Sequence, residues 1–311
     1  MELEFIPIDY DYKDIEGKTA IIVYGRAKDK RIAILDWLED FFYVIGQEKT
    51  LKDIEKLEIP EVIRTKLENK NFREKQVKAL KVFCNHKDKK LVSDKIKEKF
   101  PETERKERDI SPITRYILEK KLKPLQGYRI SGSILNNDPE FSGLDAKLEV
   151  DLVIKLERAE EVNLEFKPKV LAFDIETEEF EIGKGKILMI SLVSDNIKKV
   201  LTWKKARDKQ GFVEEYKDES EMIEAFTSYV KKIKPDILTG YFSDGFDLPY
   251  LRARAEKNKI NLDLGLDGSK VSFSRGRLIT SSIAGIAHVD LFRFIEIAYA
   301  IGFISEMNTE I

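Results

Sequence analysis

One cysteine, Cys84, and two histidines, His86 and His288, are the only thiol or imidazole metal ligands in the 311-residue chain. A lone thiol excludes an internal disulfide and any multi-cysteine zinc site, and Cys84 near His86 reads as a semi-buried thiol beside a surface imidazole. Also missing is any apolar run approaching the roughly 20 residues that a membrane helix needs. The start, Met1-Glu-Leu-Glu, lacks the basic region of a secretory signal. An intracellular, cytoplasmic, soluble protein is expected. Net charge is scarce too, since 55 Lys and Arg stand against 57 Asp and Glu. A total of −2 therefore says nothing about a polyanionic partner until it is resolved along the chain.

Charge itself is abundant: 36% of residues are Asp, Glu, Lys or Arg, against about 25% in ordinary soluble proteins. Heat-adapted proteins share that bias. A hydrophobic content of 42% argues against disorder, and the length suits about two domains, each with its own core.

The most informative stretch is Val170-Leu-Ala-Phe-Asp-Ile-Glu-Thr177, a short apolar run after Pro168 that ends in two carboxylates one residue apart. Its length and boundaries predict a buried strand. Side chains alternate along a strand, so Asp174 and Glu176 share a face. Like charges held that close repel unless a cation lies between them, and hard divalent ions such as Mg²⁺ or Mn²⁺ suit carboxylate oxygens. A second stretch, Asp236-Ile-Leu-Thr-Gly-Tyr-Phe-Ser-Asp-Gly-Phe-Asp-Leu-Pro-Tyr-Leu251, reads as a short strand, a turn, and a helix with Pro249 in its first turn. Asp247 falls at the strand-to-helix switch, where open α/β sheets place their ligands.

Phe173-Asp-Ile-Glu-Thr resembles the first exonuclease motif of family B DNA polymerases, and Tyr241 to Asp247 with Leu-Pro-Tyr-Leu resembles the second. The similarity continues through Ile187-Leu-Met-Ile-Ser-Leu, Val200-Leu-Thr-Trp-Lys, Leu264 to Gly268 and Ala287-His-Val-Asp-Leu-Phe, and is greatest to archaeal members. It implies an α/β fold: a ribonuclease-H-like 3′ to 5′ exonuclease domain, a mixed sheet with flanking helices, preceded by an α+β amino-terminal domain. The expected division is residues 1–125 for the polymerase-type amino-terminal domain, 126–167 for a β-rich connecting segment and 168–311 for the exonuclease domain. The chain ends before a third motif is met.

Around these motifs the pattern is coarser. Residues 19–25 and 30–36 predict a hairpin about Arg26 to Asp29, and Phe41 to Gly46 the next strand. From Thr50 to Lys123 the chain reads as helical and basic. Residues 64–123 hold 20 Lys and Arg against 10 Asp and Glu, which suits either a phosphate-binding footprint or a solvated helical face. Leu148 to Leu156 alternates like a half-exposed strand. From 169 onward the expected order is three strands (the acid-pair strand, 187–194 and 198–203), helix 219–233, strand 236–241, helix 247–258, a hairpin over 270–290 turning at Ser274 to Arg277, and helix 291–300.

The resemblance implies proofreading in DNA replication: metal-dependent removal of 3′ nucleotides from DNA. Asp174 would bridge two divalent cations, Mg²⁺ or Mn²⁺, Glu176 would bind the nucleophile-side ion and orient its water, and Asp247 would support the second ion. Tyr241, Phe242 and Phe246 flank the acid turn as candidate substrate contacts, with Tyr241 and Phe246 also suited to packing it. His288 reads as a packed or hydrogen-bonded residue rather than a base. Implied partners are a single-stranded 3′ end or primer-template, and a carboxy-terminal polymerase subunit supplying palm, fingers, thumb and the third acid. Departures from the family pattern are Phe242 where Asn is usual and the charged run Glu102 to Arg108 where an apolar run is usual. Two alternatives stand beside a split or fragmentary polymerase: a non-catalytic DNA-binding or scaffolding subunit, and a free-standing ribonuclease-H-like exonuclease.

Overall fold

A computed structural model describes residues 1–206, 210–275 and 279–299. The chain forms two compact units. The first comprises Met1–Val23, Ala33–Ala146 and Leu152–Val162; the second comprises Tyr24–Ile32, Lys147–Asp151 and the residues from Asn163 onward.

Elements up to Val162 are β1 (Glu2–Ile15), β2 (Lys18–Ala27), β3 (Lys30–Leu38), β4 (Phe41–Ile45), α1 (Glu48–Glu55), β5 (Val62–Phe72), β6 (Lys75–Cys84), α2 (Lys89–Lys99), β7 (Glu104–Lys106), α3 (Pro112–Lys120), β8 (Tyr128–Ile134) and β9 (Leu152–Glu161). The expected hairpin at Arg26 to Asp29 is present, and its strands join a closed barrel in the order β1-β2-β3-β9-β8. Residues 126–167, read from sequence as a connecting segment, thus contribute two barrel strands. A separate four-stranded sheet runs β5-β6-β4-β7. The helices α1 and α2 cover one face of it, packing Leu51, Ile54, Val92 and Ile96 on Phe42, Val44, Leu80 and Val82. Cys84 lies wholly inside this cluster, and burial pushes its thiol up to about 12.

A helical reading of the whole span from Thr50 to Lys123 is wrong for β5 and β6, which form a hairpin ten residue pairs long. Lys, a good helix former, is the commonest residue at its exposed positions, while pairing of β6 to β4 decides the conformation. The turn gave no warning. Arg73 and Glu74 both take positive φ, 47° and 64°, in a two-residue loop that ordinarily carries Asn or Gly.

The second unit continues with β10 (Val170–Thr177), β11 (Ile187–Ser194), β12 (Ile197–Thr202), β13 (Val213–Glu215), α4 (Glu219–Ile233), β14 (Ile237–Gly240), α5 (Asp247–Lys257), β15 (Ser272–Arg275), β16 (Ile279–Ser282), β17 (Ala287–Asp290) and α6 (Leu291–Ala298). Its sheet order is β13-β12-β11-β10-β14-β17. The pairs β10–β11 and β11–β12 are antiparallel, whereas β14 and β17 run parallel to β10. Three meandering strands followed by alternating α and β make the ribonuclease-H-like arrangement expected from the sequence. The strand β13 was not anticipated, and the hairpin expected over 270–290 is shorter: β15 and β16 form a separate two-stranded sheet ending at Ser282, whereas β17, which carries His288 and Asp290, joins the main sheet parallel to β14. The turn proposed at 274–277 falls largely outside the described residues.

Amphipathic patterning fixes which side of the sheet faces the helices. Leu171, Phe173 and Ile175 of β10 point into a core shared with Met222, Ile223, Phe226 and Val230 of α4 and Leu248, Tyr250 and Leu251 of α5. The helical 1-4-8 spacing of the α4 residues forms its apolar stripe. Asp218 caps α4 by accepting from the Glu221 N–H, and Lys234 in the left-handed region ends it.

Glu219 ties this packing to α5. Its carboxylate is buried, takes a two-pronged hydrogen bond from Arg254, and also accepts from Asn258 and from the Ile187 N–H at the start of β11. Burial alone would raise the Glu219 carboxyl, but these donors outweigh it and hold the group below the usual range. Removing one partner of a buried pair leaves the other charge stranded. Glu219→Ala should therefore cost about 3–5 kcal/mol in urea unfolding, and a midpoint equal to wild type would contradict this role.

Candidate active site

Strand alternation turns Asp174 and Glu176 outward while Phe173 and Ile175 enter the core. Asp247 approaches the same strand from the first position of α5. It is only 3% exposed, and its Oδ1 accepts from the Ile175 N–H at 3.2 Å. The carboxylate is thereby held against the peptide that separates the two outward acids. Burial, reinforced by the negative charge of Asp174 and more weakly by Asp290, pushes the Asp247 carboxyl up to about 7 despite opposing backbone hydrogen bonds.

The structure thus brings Asp174 and Asp247 into electrostatic contact. Glu176 shares the outward face with Asp174, but among the described residues no three acidic, histidine or cysteine side chains form a ready-made metal cluster. The donor chemistry nevertheless fits a hard divalent cation: oxygen ligands only, with a carboxylate pair whose repulsion a cation would relieve. Mg²⁺ commonly uses one or two carboxylates and fills its other positions with water and phosphate oxygens.

Asp290 is the site residue whose role sequence reasoning missed. It ends β17 directly beside Gly240 of β14. Its Oδ1 accepts from the N–H groups of Phe242 and Phe292 at 2.9 and 3.0 Å, and its Oδ2 from the Asp244 N–H at 3.0 Å. One side chain therefore caps α6 and pins the loop leading to Asp247. An Asp between a strand pattern and an apolar helix was the available signal.

His288 is hydrogen-bonded, as expected. Its Nδ1 lies 3.2 Å from Asp244 Oδ1 and its Nε2 lies 3.0 Å from Ser243 Oγ, with the ring 2% exposed. Asp244 also accepts from the Ser281 N–H. Burial works to raise the Asp244 carboxyl, yet His288 and Ser281 bring it below its ordinary value.

The three aromatic residues of the turn differ in placement. Phe246 packs on the core and lies 5.3 Å from the Tyr250 ring. Tyr241 and Phe242 are exposed, each edge-on to Phe292 at 5.6 and 5.2 Å. Phe242 has φ +58°, a left-handed conformation that Asn adopts more readily than a bulky side chain. Its ring also overlies Gly245, where an added Cβ would meet ring carbons at 2.5–2.8 Å.

A model of the family described as DNA polymerase family B, exonuclease domain, matches residues 105–302. The chain is 29% identical over 301 residues to a DNA polymerase of Pyrococcus glycovorans, covering 93% of this chain and 34% of that protein. It is also 29% identical over 298 residues to a DNA polymerase of Thermococcus kodakarensis, covering 92% of this chain and 16% of that protein. The chain therefore spans about a third or less of the relatives it matches. Among solved structures, the family B DNA polymerase of the hyperthermophilic archaeon Pyrobaculum calidifontis superposes with a TM-score of 0.76 at 21% identity, over 94% of this chain and 37% of that one. At that identity the likeness concerns the fold.

Two outcomes follow from this geometry. Because the folded-state value of Asp247 lies at about 7 against 3.8 for the free group, its contribution to stability is fully present below pH ~4 and is lost as pH rises through ~7. In EDTA, Asp247→Asn should match wild type near pH 4 and exceed it near pH 8 by up to about 4 kcal/mol; equal stabilities at pH 8 would contradict the raised value. Gly245→Ala should destabilise by about 1–3 kcal/mol through overpacking, and much of that loss should vanish in a Phe242→Asn background. Additive losses in that double-mutant cycle would mean the ring is not the obstacle.

Proposed function

Because the chain belongs to the exonuclease-domain family of family B DNA polymerases, we propose that its second unit removes nucleotides from the 3′ end of DNA in a divalent-metal-dependent reaction. The observation that carries this reading is the Asp174–Asp247 pair, with Asp247 buried against β10 and raised to about 7. A buried carboxylate left in that state is poorly suited to structure alone and well suited to a ligand that neutralises it.

Bound divalent cations would activate a water for attack on the phosphodiester and stabilise charge on the departing 3′ oxygen. Asp174 and Asp247 would hold them, with Glu176 on the same outward face positioning the water. The Ile175 N–H keeps the Asp247 carboxylate oriented toward β10 whether or not it is ionised. Asp290 keeps the 242–244 loop in place, with three backbone N–H groups on its carboxylate, two at Oδ1 and one at Oδ2. Tyr241 and Phe242 offer exposed rings to a frayed base, and stacking on a ring is indifferent to sequence and so suited to proofreading.

This reading includes a polymerase portion, carried on the same polypeptide or on a second chain, that brings the palm, fingers, thumb and a further acid. The relatives' greater length supports it. So do the exposed apolar side chains of Phe294, Ile295 and Ile297 on α6. A second reading, a non-catalytic DNA-binding or scaffolding subunit, is favoured by one observation: the described carboxylates do not form a three-ligand cluster.

The readings separate in a trimming assay on a 5′-labelled single-stranded DNA with Mg²⁺ or Mn²⁺, run with and without the matching polymerase portion. We expect stepwise loss of 3′ nucleotides that falls at least about 100-fold in Asp174→Ala or Asp247→Ala, a loss typical of removing essential charge stabilisation. Trimming unaffected by either substitution would overturn the site. No trimming under any condition, with Mn²⁺ affinity equal in wild type and Asp174→Ala by calorimetry, would establish the scaffold instead.

A further inference from the structure

The loop that leads to Asp247 carries a hydrogen-bonded chain that the proposed reaction does not itself use. Ser243 Oγ lies 3.0 Å from His288 Nε2, and His288 Nδ1 lies 3.2 Å from Asp244 Oδ1. This is the Ser-His-Asp order of a nucleophile relay. Burial excludes that use: Ser243 is 0% exposed and the His288 ring 2%, so no substrate atom reaches the hydroxyl. What remains is the relay's other property, a fixed orientation. The Asp244 carboxylate only accepts, so His288 Nδ1 bears the proton and Nε2 accepts from the Ser243 hydroxyl.

The two ends of the chain are not equally secured. Asp244 has other anchors, since its Oδ1 accepts from the Ser281 N–H at 2.6 Å and its own N–H donates to Asp290 at 3.0 Å. For the Ser243 hydroxyl, His288 is the partner among the described residues. The Ser243 side chain fills the space over Gly240, where an added Cβ would meet Ser243 Cβ at 2.9 Å and the Phe173 carbonyl oxygen at 3.1 Å. Phe173 immediately precedes Asp174 on β10. The Ser243 carbonyl accepts from the Leu248 N–H at 3.1 Å, one residue past Asp247 in the first turn of α5. Ser243 is therefore wedged between the peptide that leads into one acid and the helix start that bears the other.

We propose that His288 is a positioning residue for the Asp174–Asp247 pair: by holding the Ser243 side chain it sets the separation at which the two carboxylates receive divalent cations. Asp244 assists by fixing the imidazole tautomer. This role rests on the metal-dependent reading above, and it makes β17 a third support for the site beside the two elements that bear the acids. Outer-shell groups commonly change metal affinity or rate by about 10–100-fold. Acting through packing and a backbone hydrogen bond, His288 belongs at the low end of that range.

The test follows Mn²⁺ binding to the full chain by calorimetry, counting only the binding lost in Asp174→Ala. With the matching polymerase portion added, it also resolves kcat and KM for 3′ trimming. His288→Ala and Ser243→Ala should each weaken Mn²⁺ binding about tenfold and lower kcat similarly, with KM for DNA unchanged. The double variant should be no worse than either alone, because both remove one bond. His288→Gln, whose amide reaches the Nε2 position, should recover most of the affinity. His288→Asn reaches only the Nδ1 position and should behave like His288→Ala. Should His288→Ala fail to fold by urea unfolding, Ser243→Ala, which removes a single oxygen, still decides. Wild-type Mn²⁺ affinity in Ser243→Ala, additive losses in the double variant, or equal losses in His288→Gln and His288→Asn would each reduce His288 to packing and overturn the proposal, leaving the metal-dependent reading intact. A wild-type chain with neither trimming nor Asp174-dependent Mn²⁺ binding would overturn both.

Discussion

A carboxylate buried beside another carboxylate carries an energetic penalty that some partner must relieve, and the second unit is built to maintain such a pair. Asp247 is brought to β10 by a helix whose first residue it is, oriented by the Ile175 N–H, and kept away from water. Three pKa units of elevation correspond to a few kcal/mol of unfavourable charge at neutral pH. That cost falls on a protein whose whole stability is of order 10 kcal/mol, so the surrounding structure has to be rigid enough to bear it.

Several contacts supply that rigidity, each acting on a different end of the same assembly. Glu219 joins the start of α4 to β11 and to Arg254 on α5. Asp290 fastens the loop before Asp247 to the end of β17, and His288 bridges Asp244 and Ser243 within it. Between them the loop tolerates Phe242 in a left-handed conformation, with its ring over Gly245 and edge-on to Phe292. The aromatic contact offsets part of the backbone strain, each term being about 1 kcal/mol.

Much of the second unit was legible because its signals are local. The apolar alternation of β10, the turn before α5 and the strand–helix order each follow from periodicity and breaker residues, and the motifs they bear carry the family resemblance. Asp290 was less visible because its importance lies in three backbone partners, two of them from a loop nearly fifty residues earlier. The β5–β6 hairpin was misread because its strands are rich in Lys and its turn lacks Gly and Asn, so propensity favoured a helix where pairing to β4 prevails. The excess of basic residues there was legible as a number, but not as a surface; only the sheet topology places Arg64 over Phe83.

The most direct measurement is an anomalous difference map from crystals of the protein equilibrated with Mn²⁺. The account predicts a peak within coordinating distance, about 2.1 Å for a small octahedral cation, of oxygens from both Asp174 and Asp247. A map at saturating Mn²⁺ with no peak shared by these two carboxylates would contradict it.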